Sequence, residues 1–321
     1  MVEDPMTTLI TGAGLIGTAF AQNALKRNED VVFFDPEPRA DFIEKKLGVK
    51  DVAQVRGDVR DLPKLIETIK EHKCETVVHT AGIIGGKVDQ LMYSALQINI
   101  QGTMNVAEAS RLMDVRRLVH ISTFGVYDMR RDDTPKVMSE DWHRGHGRSY
   151  GNSKVAKELI LEAYHNRYDL ELVGVRPANV FGNGHFWSGS GGGAKIHELM
   201  VAGHEGRVAK IPEGQTMSNE YIYSKDIGAI VDAAATVPQP KEMLFFNGGT
   251  GINTPFDDLI GAVQKIHPGL KYEVIPGKAG KNRDTILDMR AAKKHLGFEP
   301  GYSLDAALAD YAQEISDIGA F

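Results

Sequence analysis

Tyr150 and Lys154 stand four residues apart in a stretch whose apolar residues Val155, Leu159, Ile160 and Ala163 recur at helical spacing. An i, i+4 pair shares one helix face, so the phenol and the ammonium are brought together. A free tyrosine titrates near ~10, and a positive charge beside it favours the phenolate. The pair is therefore a candidate proton carrier for an alcohol, a role that contributes about 10² to 10⁴ in rate. Upstream, Ile121-Ser122-Thr123 closes an apolar, strand-like run with two hydroxyl residues. Where such a strand leaves a sheet at its carboxyl end, the Thr123 hydroxyl is placed to hold a substrate oxygen; the plainer alternative is that Ser122 and Thr123 only cap the strand.

A second constellation points to a dinucleotide. Ile10-Thr11-Gly12-Ala13-Gly14-Leu15-Ile16-Gly17 carries G-x-G-x-x-G between an expected strand and an expected helix. Gly12 makes the tight turn, Gly14 lets the backbone approach a pyrophosphate, and Gly17 lets the helix pack on the strand. Phosphates then meet the positive end of the helix at Leu15 and Ile16. Asp35 ends the next apolar run, 18 residues beyond Gly17, where a carboxylate accepts hydrogen bonds from the adenosine ribose. An acid there repels a 2′-phosphate, so NAD is expected over NADP, with Arg39 the one nearby group able to offset it. With oxidised nicotinamide bound, Lys154 and the ring charge together make Tyr150 a usable base near neutrality.

These residues need a scaffold that alternates strand and helix. Strands are expected at Thr7 to Thr11, Val31 to Asp35, Ala53 to Val55, Thr76 to Thr80, Leu118 to Ser122, Leu170 to Arg176 and Met243 to Asn247. Helices are expected at Leu15 to Lys26, Leu62 to His72, Asp89 to Met113 and Tyr150 to Tyr168, then near 194 to 204, 225 to 236, 255 to 266, 289 to 296 and 304 to 315. Near-continuous apolar strands alternating with helices predict an α/β fold of Rossmann type: a doubly wound parallel sheet of about seven strands with a smaller α/β substrate-binding domain. Residues 1–177 are expected to form the nucleotide-binding domain with a returning segment near 221–250, and residues 178–321 mainly the substrate-binding domain. The glycine-rich stretch 182–193 has no period and is expected to be a loop, with Phe186 and Trp187 as a lid or as packing anchors.

The ordered set of glycine turn, Asp35, Gly57-Asp58-Val59, Thr80-Ala81-Gly82, Asn99, Ile121-Ser122-Thr123 with Val126-Tyr127, Tyr150-x-x-x-Lys154 and Arg176-Pro177-Ala178-Asn179 resembles the extended short-chain dehydrogenase/reductases. Within them it is similar to the NAD-dependent epimerase/dehydratase family, and the likeness extends to Tyr221 to Asp226 and Asp288 to Phe298. The resemblance implies that Asp58 and Val59 bind the adenine end and that Thr80, Ala81, Gly82, Ile121 and Pro177 line the cofactor. It implies Thr123 and Tyr150 as catalytic residues, with Lys154 holding the nicotinamide ribose and lowering the phenol pKa. It also implies a homodimer through the 89–113 and 150–168 helices, with Asn99 organising the backbone rather than reacting.

Departures from the family pattern narrow the reaction. Phe124 and Gly125 stand where the dehydratases carry an Asp-Glu pair and the decarboxylating relatives a Glu, so neither elimination is expected. Asn219 stands where nucleotide-sugar members commonly carry a diphosphate-gripping Arg, and an amide lacks the charged fork. Arg283 or Arg207 is a candidate replacement, and Asn179 a candidate sugar or phosphate contact. The substrate is thus read as sugar-like, either a UDP-sugar or a smaller polyol or sugar acid. Oxidoreductase or epimerase chemistry is favoured over a non-catalytic NAD(P)-sensing protein, because the Tyr and Lys are both kept.

Composition sets the remaining bounds. The 321 residues carry 43 acids and 37 bases, without the basic clusters that nucleic-acid binding needs. No apolar run approaches the ~20 residues of a membrane span, and no secretory leader is expected, so the cytoplasm is. The single Cys74 precludes an internal disulfide and reads as a structural thiol. No metal is expected: His197 and His204 lack H-E-x-x-H spacing, and His143-x-x-His146 reads as solvated loop.

Overall fold

The structure is a computed structural model that describes residues 6–145, 147–184, 191–277 and 284–321. The first half runs β1 (Thr7–Thr11), α1 (Leu15–Lys26), β2 (Asp30–Asp35), α2 (Ala40–Leu47), β3 (Ala53–Arg56), α3 (Leu62–Glu71) and β4 (Cys74–His79). Short helices α4 (Lys87–Gln90) and α5 (Met92–Leu96), a π-helical turn at Gln97–Gln101 and α6 (Gly102–Leu112) lead to β5 (Arg117–Ile121). There follow β6 (Val137–Met138), α7 (Ser149–Tyr168), β7 (Glu171–Pro177), β8 (Asn179–Phe181), α8 (Gly191–Glu205), β9 (Val208–Pro212) and β10 (Asn219–Tyr223). The chain ends with α9 (Ser224–Thr236), β11 (Phe245–Gly248), β12 (Asn253–Thr254), α10 (Phe256–Ile266), β13 (Lys271–Ile275), β14 (Ile286–Leu287) and α11 (Leu304–Ile318).

All seven expected strands lie in one parallel sheet of order β11-β7-β5-β4-β1-β2-β3. The order reverses between β1 and β4, and ligands of open α/β sheets bind at the carboxyl ends beside that reversal. Alternation along each strand explains the two layers. Ile10, Val78, Val119 and Val173 turn to α1 and α9, burying Phe20, Ile227 and Ile230. Their neighbours Leu9, Val77, Leu118 and Leu172 turn to α3, α6 and α7, burying Leu65, Val106 and Leu161. A third cluster, separate from the sheet, joins Leu199 of α8, Ile211 of β9, Tyr221 of β10, Leu259 of α10 and Tyr311 of α11. Of the segment expected to return near 221–250, α9 and β11 rejoin the large sheet, whereas β10 pairs with β8 and β12 in a three-stranded sheet.

Two expectations are corrected. The helix expected from Asp89 to Met113 is broken: Leu91 takes φ −120° and ψ 37°, and Gln97–Gln101 widen into the π-helical turn. Within the π-helical turn the Asn99 side chain is drawn to the Ile83 backbone, a tertiary demand that apolar periodicity does not encode. The glycine-rich loop is shorter than expected, because Gly191, Gly192 and Gly193 already belong to α8. Positions 185–190, with Phe186 and Trp187, lie outside the described residues, as do His146 and Arg283. Cys74 opens β4 and is buried, which pushes its thiol up to about 12 and suits a structural role. No described helix is long and apolar enough to cross a membrane.

Candidate active site

The glycine turn links β1 to α1, and its three glycines face different surroundings. Gly12 has φ +91°, and a Cβ there would lie 2.6 Å from Thr80 Oγ1. At Gly17 a Cβ would lie 2.4 Å from the Gly12 carbonyl oxygen, so helix and turn touch backbone to backbone. Gly14, the residue preceding α1, has nothing within 4 Å of such a Cβ. That open space lies at the amino end of a 12-residue helix, where free N–H groups favour an anion. Asp35 ends β2 beside it: Oδ2 accepts from Ala13 N at 2.9 Å and Oδ1 from Glu37 N at 2.8 Å, leaving lone pairs on both oxygens.

Other residues expected along the cofactor divide into lining and bracing groups. The Thr80 hydroxyl donates to the Thr11 carbonyl at 2.8 Å and so braces the turn. Both Asp58 oxygens are taken by Arg60, with Nη2 at 2.6 Å, and that bond holds the carboxyl below its usual range. Val59 is buried beneath Gly102, whose absent Cβ would fall 2.5 Å from it. Ala81 and Gly82 form the turn after β4, while Ile121 and Pro177 end β5 and β7 on the same edge of the sheet.

Thr123, Tyr150 and Lys154 converge at the end of β5. A side-chain hydrogen bond joins Thr123 to the Tyr150 phenol. Lys154 is 3% exposed and donates from Nζ to the Ile121 carbonyl oxygen at 2.8 Å. Its ammonium lies 5.9 Å from the Tyr150 ring centroid, and burial pushes it down to about 8. The phenol itself is pushed up to about 12: although Tyr150 keeps partial exposure, its hydroxyl is desolvated, and that outweighs the Thr123 hydrogen bond. The lowering expected from Lys154, whose ammonium is held on the Ile121 carbonyl, does not outweigh that burial in the protein alone. Ser122 turns away from the cleft and donates to Glu158.

A network behind the reacting groups joins Glu158, Arg144, Asn247 and Lys157, which were not singled out from the sequence, to Tyr127, Arg176 and Asn99, which were, Asn99 in the backbone-organising role expected of it. Glu158, fully buried on the same α7 face, accepts Arg176 Nε at 2.9 Å and Nη2 at 2.8 Å, and Arg144 Nη1 at 3.0 Å. Arg176 also contacts Tyr127 Oη at 3.1 Å, and Tyr127 donates to Asn247 Oδ1 at 2.6 Å. This network ties β5, α7, β7 and β11 together behind the reacting groups. Asn99 accepts from Ile83 N at 2.8 Å, donates to the Ile83 carbonyl at 2.9 Å and reaches Ser153 Oγ at 3.1 Å. Lys157 Nζ meets the Ala81 carbonyl at 3.3 Å, so the turn after β4 is held from behind by two side chains. Their signal was available: Glu158 follows Tyr150 and Lys154 at i+8 and i+4, and a carboxylate on a buried face demands a cation.

On the substrate side, Asn179 opens β8 and is 7% exposed. It donates to the Glu220 carbonyl at 3.0 Å and lies 3.4 Å from Asn219 Oδ1, so Asn219 is part of the same patch and not a stray surface residue. Arg207 does not replace the missing guanidinium. It is held by Glu198 and Glu205 beyond the far end of α8, about 1.5 Å per residue away along a 15-residue helix.

Residues 8–244 match the family model described as NAD dependent epimerase/dehydratase family. The chain is 32% identical over 315 residues to the UDP-glucose 4-epimerase of Mycolicibacterium smegmatis, covering 95% of this chain and 96% of that protein. The crystal structure of UDP-glucose 4-epimerase with UDP-glucose from Thermotoga maritima superposes with a TM-score of 0.83 at 21% identity, over 97% of this chain and 99% of that one. MoeE5 in complex with UDP-glucuronic acid and NAD superposes with a TM-score of 0.81 at 26% identity, over 97% and 99% of the two chains. With the family model spanning most of its length and this glycine turn and Tyr-Lys pair in place, the chain belongs to the NAD-dependent epimerase/dehydratase family.

Proposed function

We propose that the protein is an NAD-dependent UDP-sugar 4-epimerase that inverts a secondary alcohol through a transient ketone. The observation that carries this reading is the convergence of Thr123, Tyr150 and Lys154 at the end of β5, beside the glycine turn of β1. The M. smegmatis epimerase supports the same choice. The residues present suit NAD: Gly14 leaves room for a pyrophosphate, and Asp35 offers free lone pairs and a charge that repels a 2′-phosphate.

When bound, NAD supplies a hydride acceptor at nicotinamide C4. Thr123 orients the sugar oxygen against the Tyr150 phenol. Tyr150 takes the alcohol proton as phenolate and returns it to the ketone oxygen. Lys154, fixed on the Ile121 carbonyl, places its positive charge beside the phenol and offers its remaining donors to the nicotinamide ribose. Because Tyr150 alone is pushed up to about 12, its activation depends on positive charge arriving with the oxidised cofactor. Phe124 and Gly125 follow Thr123 with no titratable group, so nothing there expels water or carbon dioxide, and the ketone is reduced again.

Incubation of the purified protein with UDP-glucose, with sugar nucleotides separated by chromatography, tests the proposal. Formation of UDP-galactose without net NADH is expected. Accumulation of NADH from free polyols, with no UDP-hexose inverted, would replace it by a dehydrogenase acting on a smaller alcohol, the reading that Asn219 favours. We infer a homodimer from Leu91, Met92, Tyr93 and Leu159, exposed apolar residues on the two helical segments flanking this face; sedimentation as a monomer at micromolar concentration would refute it.

A further inference from the structure

Lys195 lies on α8 and is 3% exposed, yet no described carboxylate pairs with it. A buried charge is ordinarily paired, as Lys46 is with Glu314 at 2.7 Å. Lys195 Nζ instead donates to the carbonyl oxygens of Gln215 at 2.7 Å and Met217 at 3.2 Å. The rings of Tyr221 and Phe256 lie 5.5 Å and 5.3 Å from it, which holds a cation without neutralising it. An ammonium has three donors, so one is left over.

The Met217 carbonyl that takes Lys195 Nζ at 3.2 Å also takes Asn219 Nδ2 at 3.0 Å, which sets the ammonium beside that amide. Gly191 and Gly192 lie one turn before Lys195 on α8, and their missing side chains bring the helix against two amides. A Cβ at Gly192 would lie 2.6 Å from Asn179 Oδ1, and one at Gly191 would lie 2.7 Å from Gln215 Nε2. Asn179 in turn adjoins Asn219. The carboxylate next to Asn219, Glu220, is turned away, its oxygens accepting Thr250 N, Gly251 N and Leu287 N at 2.7, 2.8 and 2.7 Å, and Glu198, three residues beyond Lys195, is held by Arg207. Three amides and an ammonium bound only to carbonyl oxygens are left around one patch of the substrate side, with no carboxylate among the described residues paired to it.

We propose that Lys195 is a specificity-determining residue whose ammonium supplies the positive charge for an anionic group of the substrate, next to Asn179 and Asn219. The inference rests on the sugar-substrate reading above and deepens it. The shared chemistry is an anionic oxygen group attached to the sugar, either a phosphate of a diphosphate linkage or a ring carboxylate. It accounts for Asn219: the guanidinium missing from β10 is replaced by a cation from α8.

Calorimetric titration of the full chain tests this with UDP, pyrophosphate and glucuronate, with uncharged uridine and glucose, and with NAD as reference for an intact nucleotide site. Lys195→Met is expected to weaken at least one anionic probe by about tenfold or more, the lower end for a charge-assisted hydrogen bond. Uridine, glucose and NAD are expected to bind as in the wild type, and Lys195→Arg to recover most of the loss. Loss with UDP and pyrophosphate assigns the diphosphate. Loss with glucuronate alone assigns a ring carboxylate, and the UDP-sugar reading is then judged separately, by whether the wild type binds UDP. Equal affinities of wild type and Lys195→Met for every anionic probe, or equal weakening of charged and uncharged probes, would overturn the proposal.

Discussion

Replacing Gly14 by alanine separates folding from cofactor binding. The residue has φ −98° and ψ −164°, which alanine adopts freely, and the added methyl meets nothing within 4 Å. Losing a glycine from the unfolded chain stabilises a protein by about 0.4–1 kcal/mol where the native conformation allows it. The melting temperature of Gly14→Ala is therefore expected to be unchanged or slightly raised. The same methyl occupies the approach of a pyrophosphate to the first turn of α1, and holding the phosphate back by an ångström forfeits at least one charge-assisted hydrogen bond. Such a bond is worth about 1.5–3 kcal/mol, so NAD affinity is expected to fall about 10- to 100-fold. Gly17→Ala is the contrasting variant: its methyl would sit 2.4 Å from the Gly12 carbonyl and 3.0 Å from Ile10 Cγ2, so stability is lost as well. Titration calorimetry with NAD beside thermal melting reads both effects. Gly14→Ala binding NAD within twofold of the wild type would refute the placement of the phosphates.

Tyr150→Phe is expected to keep NAD affinity while turnover falls at least ~10², the low end for acid–base catalysis, as read from initial rates and a parallel NAD titration. Turnover is also expected to fall as pH rises through about 8, where Lys154 loses the charge that supports the phenolate; a rate still climbing at pH 9 would contradict that role. Glu158→Ala strands Arg176, itself 3% exposed, and is expected to cost about 3–5 kcal/mol in urea unfolding, with a loss below ~1 kcal/mol counting against the buried network.

The parts of the fold legible in the sequence are those decided by near neighbours along the chain. Leu15–Lys26 reads as a helix because its apolar face, its glycine start and its length agree, and it forms with those limits. The seven strands read well because apolar β-branched runs between turn residues have few alternatives in a buried parallel sheet. What stayed hidden is decided across the sheet. Tyr150 and Lys154 announce themselves by spacing, yet the direction of the Lys154 ammonium depends on a carbonyl 33 residues away. Thr80 fits a cofactor motif, and the bond of its hydroxyl to the Thr11 carbonyl, which braces the glycine turn, spans 69 residues. Glu158 is a polar residue in apolar surroundings, and periodicity treats it as an interruption although Arg176 and Arg144 make it structural.

The π-helical turn at Gln97–Gln101 holds one residue more than an α-helix would use in the same rise. Each residue of a helix advances its faces by about 100°, so the turn is a stored offset between the residues before it and those after it. Deleting one residue would let the helix become regular, but only by swinging either Asn99 away from Ile83 or α6 away from the sheet. The residue count of this helix is as much a specification of the cleft as the identity of any side chain that lines it.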